Sequence, residues 1–117
     1  MGEDRAAEQT CAASIAASAG VIRQHPVQGD PDAADLDYAF NVLNRAQIPC
    51  TARYEVAFLR DGEPSFTEGR RLVQSGVTLE VAIPLGRYTR SDAASGGLPD
   101  ARELKVWGVA PERTATN

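Results

Sequence analysis

Large aliphatic residues occupy every second position from Val77 to Leu85: Val77, Leu79, Val81, Ile83 and Leu85. Between them stand Thr78, Glu80, Ala82 and Pro84. A helix would scatter such a series around its axis, whereas a strand puts it on one face, so this stretch reads as a half-buried strand. Pro84 has no N–H to give to a neighbour, which places that end of the strand at an edge or a bulge. Arg53 to Leu59 repeats the pattern, with Tyr54, Val56 and Phe58 against Arg53, Glu55 and Ala57. It runs into Asp61-Gly62, a pair suited to a tight hairpin turn. The return strand, Ser65 to Val73, is weaker and interrupted by Gly69. Glu103 to Val109 alternates again, with Leu104 and Val106 on one side and Lys105 and Trp107 on the other.

Asp35 to Asn44 decides the fold class. As a strand it puts Leu36, Tyr38, Phe40 and Val42 on one face. As a helix it puts Leu36, Phe40 and Leu43 on one stripe, with Asp30-Pro31 as cap and first turn. The strand template accounts for more positions. Cys11 to Gln24 is rich in Ala and Ser, yet Ile15, Ala17, Ala19 and Val21 alternate, and Gly20 and Pro26 favour an extended reading. Turn-rich stretches fall at His25 to Ala34, Asn44 to Cys50, Asp61 to Ser65, Gln74 to Gly76 and Gly86 to Asp100, with Arg90 to Asp100 as the longest loop. Short strands at that spacing point to an all-β fold: an antiparallel, immunoglobulin-like β-sandwich of about seven strands. The alternative is α+β, with one helix at about 32–47 on a four-stranded antiparallel sheet. That arrangement would look cystatin-like, but Leu72-Val73-Gln74-Ser75-Gly76 holds the residues of the cystatin Gln-x-Val-x-Gly loop in the wrong order.

At 117 residues the chain suits one domain, 1–117, with 1–10 and 112–117 as flexible tails. Its net charge is −4, and Arg53, Arg60, Arg70, Arg71, Arg87 and Arg90 are interleaved with acids, which argues against nucleic acid as a partner. No run of 18 apolar residues is present, so no membrane span is expected. The N-terminus is acidic, and Ala12 to Ile22 is broken by Ser14, Ser18 and Gly20, so it reads poorly as a signal peptide. Either the chain stays in the cytoplasm or Met1 stands before an already trimmed sequence.

Val42-Leu43-Asn44 ends a strand. Pro49 to Arg60 leads into Asp61-Gly62, and Leu72-Val73-Gln74-Ser75-Gly76 leads into Val77 to Leu85. From Leu36 to Leu85 this series resembles the immunoglobulin-like modules of bacterial surface proteins, especially the cell-adhesion-related domain of bacteria. That family carries Gly two residues after the Asn, where this chain has Ala46. The resemblance implies a β-sandwich that serves as spacer or binding platform, with no catalytic role.

The chemistry-bearing residues are few. His25 is the only histidine, and it precedes Pro26, so it is expected at the surface. The only methionine is Met1. A blue-copper site needs two His, a Cys and usually a Met, so that centre is excluded, and no catalytic, cofactor or metal residues are assigned. Cys11 and Cys50 fall where an up-and-down strand order would let them meet. A bridge between them would close a loop of about 40 residues and contribute about 4 kcal/mol. They are equally readable as small buried apolar residues. The acidic stretch Asp30 to Asp37 reads as a solvated turn, with calcium as the sharper alternative. Trp107 lies on the nominally wet face of its strand, which marks it, with Tyr88, as a candidate contact residue.

The expected function is a non-catalytic structural or assembly protein, such as a virion component or a subunit of a larger complex, with a protein partner or homo-oligomer. The alternative is an extracytoplasmic module binding glycan or protein. A bridged cysteine pair favours a virion or extracytoplasmic setting; free thiols favour the cytoplasm.

Overall fold

The computed structural model describes residues 2–111. The chain order is α1 (Gly2–Ser14), β1 (Ile15–Ala17), β2 (Val21–Val27), β3 (Asp30–Asn44), β4 (Cys50–Arg60), β5 (Glu63–Val73), β6 (Thr78–Thr89), α2 (Arg90–Ala94) and β7 (Asp100–Val109). Every strand pairing is antiparallel. In the first sheet β3 is central, with β6 on one side and β1 and β2 in succession on the other. The second sheet runs β5-β4-β7.

Both sheets contribute to one hydrophobic core. Leu36, Tyr38, Phe40 and Val42 of β3 and Val81, Ile83 and Leu85 of β6 cluster with Ala52, Val56 and Phe58 of β4 and Val73 of β5. Two edge-to-face ring pairs join β3 to β4: Tyr38 with Phe58 and Phe40 with Tyr54, each with centroids 5.4 Å apart. The chain is thus all-β, as the alternation predicts, and the helix alternative at 32–47 does not form. Leu36, Tyr38, Phe40 and Val42 are all buried only because they share one strand face. A helix would have left two of them outside its stripe.

Several boundaries differ from the sequence reading. Cys11 to Ser14 closes helix α1 and is not extended; strand structure begins at Ile15. Ala6, Ala7, Ala12 and Ala13 are strong helix formers, and this propensity outweighs the weak alternation. The described part of 1–10 is accordingly helical rather than a tail. The tail expected at 112–117 lies outside the described residues. The turn-rich stretch His25 to Ala34 contracts to Gln28-Gly29, because β2 extends to Val27 and β3 begins at Asp30. β6 continues past Gly86 to Thr89 through an irregularity opposite Leu36/Asp37. Pro84 sits beside that irregularity on an edge strand, the position proline tolerates. The long loop carries α2, whose capping box joins Thr89 and Asp92. Asp61 and Gly62, both at positive φ, close the β4–β5 hairpin with Arg60 opposite Glu63.

Helix α1 docks against β7 at Gly108, where any Cβ would fall on the Cys11 carbonyl oxygen and within 2.6 Å of Ile15 Cγ1. Cys11 is bonded to Cys50 at the start of β4, with Cα atoms 5.5 Å apart. Around the bridge lies a second small cluster, with Ala46 buried and Ile15 and Ile48 packed against it. Glu8 accepts a hydrogen bond from the Ala110 N–H at 3.0 Å, so the helix also holds the far end of β7.

Candidate interaction surface

The outer face of the β5-β4-β7 sheet follows from hairpin register. Arg60 opposite Glu63 fixes every later pair, so Ala57 faces Phe66, Glu55 faces Glu68, Arg53 faces Arg70 and Thr51 faces Leu72. On the other side Thr51 faces Val109, Arg53 faces Trp107, Glu55 faces Lys105 and Ala57 faces Glu103. These residues alternate with the core residues Ala52, Tyr54, Val56 and Phe58 and so lie on the side away from the core, Thr51 itself being buried there. Read across the strands, the face has four rows. The first is Leu72, Thr51 and Val109; the second Arg70, Arg53 and Trp107. The third is Glu68, Glu55 and Lys105; the fourth Phe66, Ala57 and Glu103.

Six large apolar side chains are exposed among the described residues, and three of them, Phe66 at 59%, Leu72 at 53% and Trp107 at 37%, lie on this face. The Arg53 guanidinium stands 5.9 Å from the Trp107 ring centroid. Trp107 is therefore where the alternation placed it, on the wet face, with its ring shielded by a cation rather than by a loop or by the N-terminal segment.

The outer face of the other sheet is built differently. Asp37 accepts two hydrogen bonds from Arg23, at 2.8 and 2.9 Å, and lies 3.0 Å from His25 Nε2. Arg23 also reaches Glu80 at 3.2 Å, and Arg87 pairs with Asp35 at 2.9 Å. The Arg23 bonds hold the Asp37 carboxyl below the usual carboxylate range against the opposing effect of desolvation, with His25 adding to the same direction. Arg87 lowers the Asp35 carboxyl in the same way. Much of the expected acidic turn is thus strand. Asp35 and Asp37 are engaged with cations, and Asp30 Oδ1 accepts from the Asp32 N–H at 3.1 Å. Among the described residues no group of three or more His, Cys, Asp or Glu is arranged to hold a metal. His25 stands in β2 rather than in a loop, with its side chain 51% exposed.

Tyr88 lies near the end of β6, half-buried against the core. It lines an open cleft of about 390 Å³ with Gln24, Asp32, Leu36, Arg90 and Leu98. Trp107 and Tyr88 therefore belong to different sheets and do not form one site. Sequence reading missed Phe66, Leu72 and the two charged rows because Gly69 made β5 look weak. In the structure the Tyr54 ring lies over Gly69 and fills the space a side chain would take.

No family model matches the chain, and no curated protein matches it. Three solved structures are similar over most of its length at low identity. A structural-genomics target designated SoR45 has a TM-score of 0.45 at 13% identity, covering 86% of this chain and 89% of that one. The putative ApaA protein from Bordetella pertussis has a TM-score of 0.43 at 16% identity, covering 86% and 95%. A protein from Archaeoglobus fulgidus has a TM-score of 0.40 at 10% identity, covering 85% and 100%.

Proposed function

We propose that this chain is a non-catalytic assembly module, a subunit of a larger complex of the kind a virion component would be, that works through the outer face of β5-β4-β7. One observation carries the reading. Phe66, Leu72 and Trp107 are all exposed on this one face, around charged rows that include the Lys105–Glu103 pair at 3.4 Å, whereas the charges of the opposite face centre on the Arg23–Asp37 and Arg87–Asp35 pairs. Exposed aromatics within ordered charge are the composition of contact surfaces rather than of inert ones. The Cys11–Cys50 bridge supports an oxidising setting for this module. The strand order supports the immunoglobulin-like reading: β2-β3-β6 and β5-β4-β7 correspond to A-B-E and C′-C-F of that topology.

A photoreactive amino acid at position 66 tests the reading, with position 82 on the opposite face as control. The expected result is a covalent complex in cells from position 66 and none from position 82. Silence at both positions would refute an assembly role for this face.

A second reading has its own observation. The cleft beside Tyr88 combines an aromatic ring with Gln24, Asp32 and Arg90, a mixture that suits a sugar or a peptide. It corresponds to the extracytoplasmic binding module that the family resemblance implies. Glycan-array binding that Tyr88→Ala abolishes would favour it; binding unchanged by that substitution would remove Tyr88 from the site.

A further inference from the structure

We infer that the partner of the β5-β4-β7 face is a second copy of the same chain, docked about a two-fold axis that crosses the strands between Arg53 and Glu55. This rests on the assembly reading of that face and adds the identity and register of the partner.

The argument is the order of the rows. Within one copy, Arg53 stands directly across from Arg70, and Glu55 directly across from Glu68. Like charges at directly opposed positions are the unfavourable arrangement in a sheet, and a strand pair stabilised by charge alternates its signs across the gap. On β4 and β5 the signs alternate along the strands instead, Arg53 and Arg70 beside Glu55 and Glu68, while on β7 Lys105 stands across from Glu55 and 3.4 Å from Glu103. A face banded in this way is complementary to itself after rotation.

Of the in-plane axes that bring such a face against its own copy, two follow the directions of the strands and of the rows. An axis parallel to the strands keeps each row in register, so Arg53 would meet Arg53 and Glu55 would meet Glu55, which like-charge repulsion disfavours. An axis across the strands, between the second and third rows, inverts their order. Arg53 of one copy then lies over Glu55 of the other, and Arg70 over Glu68. Trp107 lies over Lys105, a cation facing an aromatic ring that already stacks with Arg53 in its own chain. The outer rows exchange too, so Leu72 meets Phe66, and the two most exposed large apolar side chains of the face cover each other. Val109 meets Glu103 at the rim, where solvent reaches both. Every contact occurs twice, as an isologous interface requires.

The face is small. The four rows run from Thr51 to Ala57; at about 3.3 Å per residue and three strands at about 4.8 Å each, they cover roughly 330 Å² before side-chain relief. A standard interface contributes about 800 Å² per partner, so the association is weak to moderate and is followed over roughly 5 to 500 µM protein.

Sedimentation velocity over that range is the test, on the full chain with its disulfide intact. Wild type is expected to shift from monomer to dimer as concentration rises. Arg53→Glu and Glu55→Arg, each alone, set like charges face to face across the axis and should weaken dimerisation at least tenfold. The double variant Arg53→Glu/Glu55→Arg re-creates both cross-axis pairs and should restore it. Trp107 is the only tryptophan, so a concentration-dependent blue shift of its emission, absent from the single variants, reports burial at the same face. Circular dichroism and Tm confirm that each variant is folded. A wild type monomeric at 500 µM overturns the inference. So does a double variant that stays monomeric, because the register would then be wrong. If the wild type is monomeric while position 66 captures a different protein in cells, the second copy is refuted and the assembly reading stands.

Discussion

Asn44 shows how one polar side chain can organise a turn region with no solvent contact. It is fully buried at the end of β3. Its Nδ2 donates to the Ile48 and Val73 carbonyls, each at 2.9 Å, and its Oδ1 accepts from the Ala46 N–H at 2.9 Å. Its own backbone holds the turn before β6, accepting from Gly76 and donating to the Val77 carbonyl. Asn44→Ala would strand two buried backbone groups and the half-buried Ile48 carbonyl, and a net cost of about 3 to 5 kcal/mol in urea unfolding is expected. Asn44→Asp keeps the acceptor toward Ala46 but aims carboxylate oxygen at two carbonyls, so it should cost at least as much. Asp37 gives the residue-scale prediction for pH. Its carboxyl and that of Asp35 titrate lower in the folded chain than in the unfolded one, because Arg23 and Arg87 donate to their charged forms. The stability they contribute is therefore complete above the ordinary carboxylate value of about 4 and drains away as pH falls through the lower folded values. Asp37→Asn should lower the urea midpoint at pH 7 and lose that difference as pH falls below the ordinary carboxylate value of about 4. Arg23→Gln should raise the Asp37 carboxyl toward about 4 in an NMR titration.

At the scale of elements, the strands were legible where one face is buried and the other wet. Leu36 to Val42, Tyr54 to Phe58 and Leu79 to Leu85 carry the period of two because each packs a single side against the core; Val77, expected on the same dry face, precedes β6 and is exposed. The candidate face was legible in principle as well. Asp61-Gly62 fixes the hairpin register, and the register aligns Arg53 with Arg70 and Glu55 with Glu68. It went unread because Gly69 interrupts the pattern of β5, and the ring that fills its place, Tyr54, comes from the neighbouring strand. Helix α1 carried a propensity signal in Ala6, Ala7, Ala12 and Ala13, but its docking had none. It is held by tertiary contacts, the Cys11–Cys50 bridge and the close approach at Gly108, which leave no periodic trace in its own sequence. Those contacts make a testable pair. Cys11→Ser/Cys50→Ser should cost about 4 kcal/mol, since the bridge closes a segment with a sequence separation of 39. Gly108→Ala in the bridged protein drives a methyl onto the Cys11 carbonyl and should cost about 2 kcal/mol or more. In the serine background the helix end is free to move, so the same methyl should cost clearly less. Equal costs in the two backgrounds would mean that the bridge does not hold α1 against β7.

On the scale of the whole molecule the question is what makes a four-stranded and a three-stranded sheet one cooperative unit. No backbone ladder joins the sheet of β1, β2, β3 and β6 to β5-β4-β7. Their union depends on side chains meeting between them, and the largest of these are the crossed pairs Tyr38 with Phe58 and Phe40 with Tyr54. Tyr38 and Phe58 are 5% and 2% exposed, so neither ring has solvent as an alternative environment. Edge-to-face pairs are worth about 0.5 to 1.5 kcal/mol beyond the area they bury. A double-mutant cycle with Tyr38→Leu and Phe58→Leu keeps the core filled while removing the ring pair. The expected coupling energy is about 1 kcal/mol in urea unfolding, with single transitions that coincide by far- and near-ultraviolet circular dichroism. If each sheet were stable alone, the coupling would vanish and the two signals would separate. Coupling with coincident transitions would instead establish that the ring pairs between β3 and β4 are part of what makes the sheets fold together, leaving the outer face of β5-β4-β7 rigid enough to act as a docking surface.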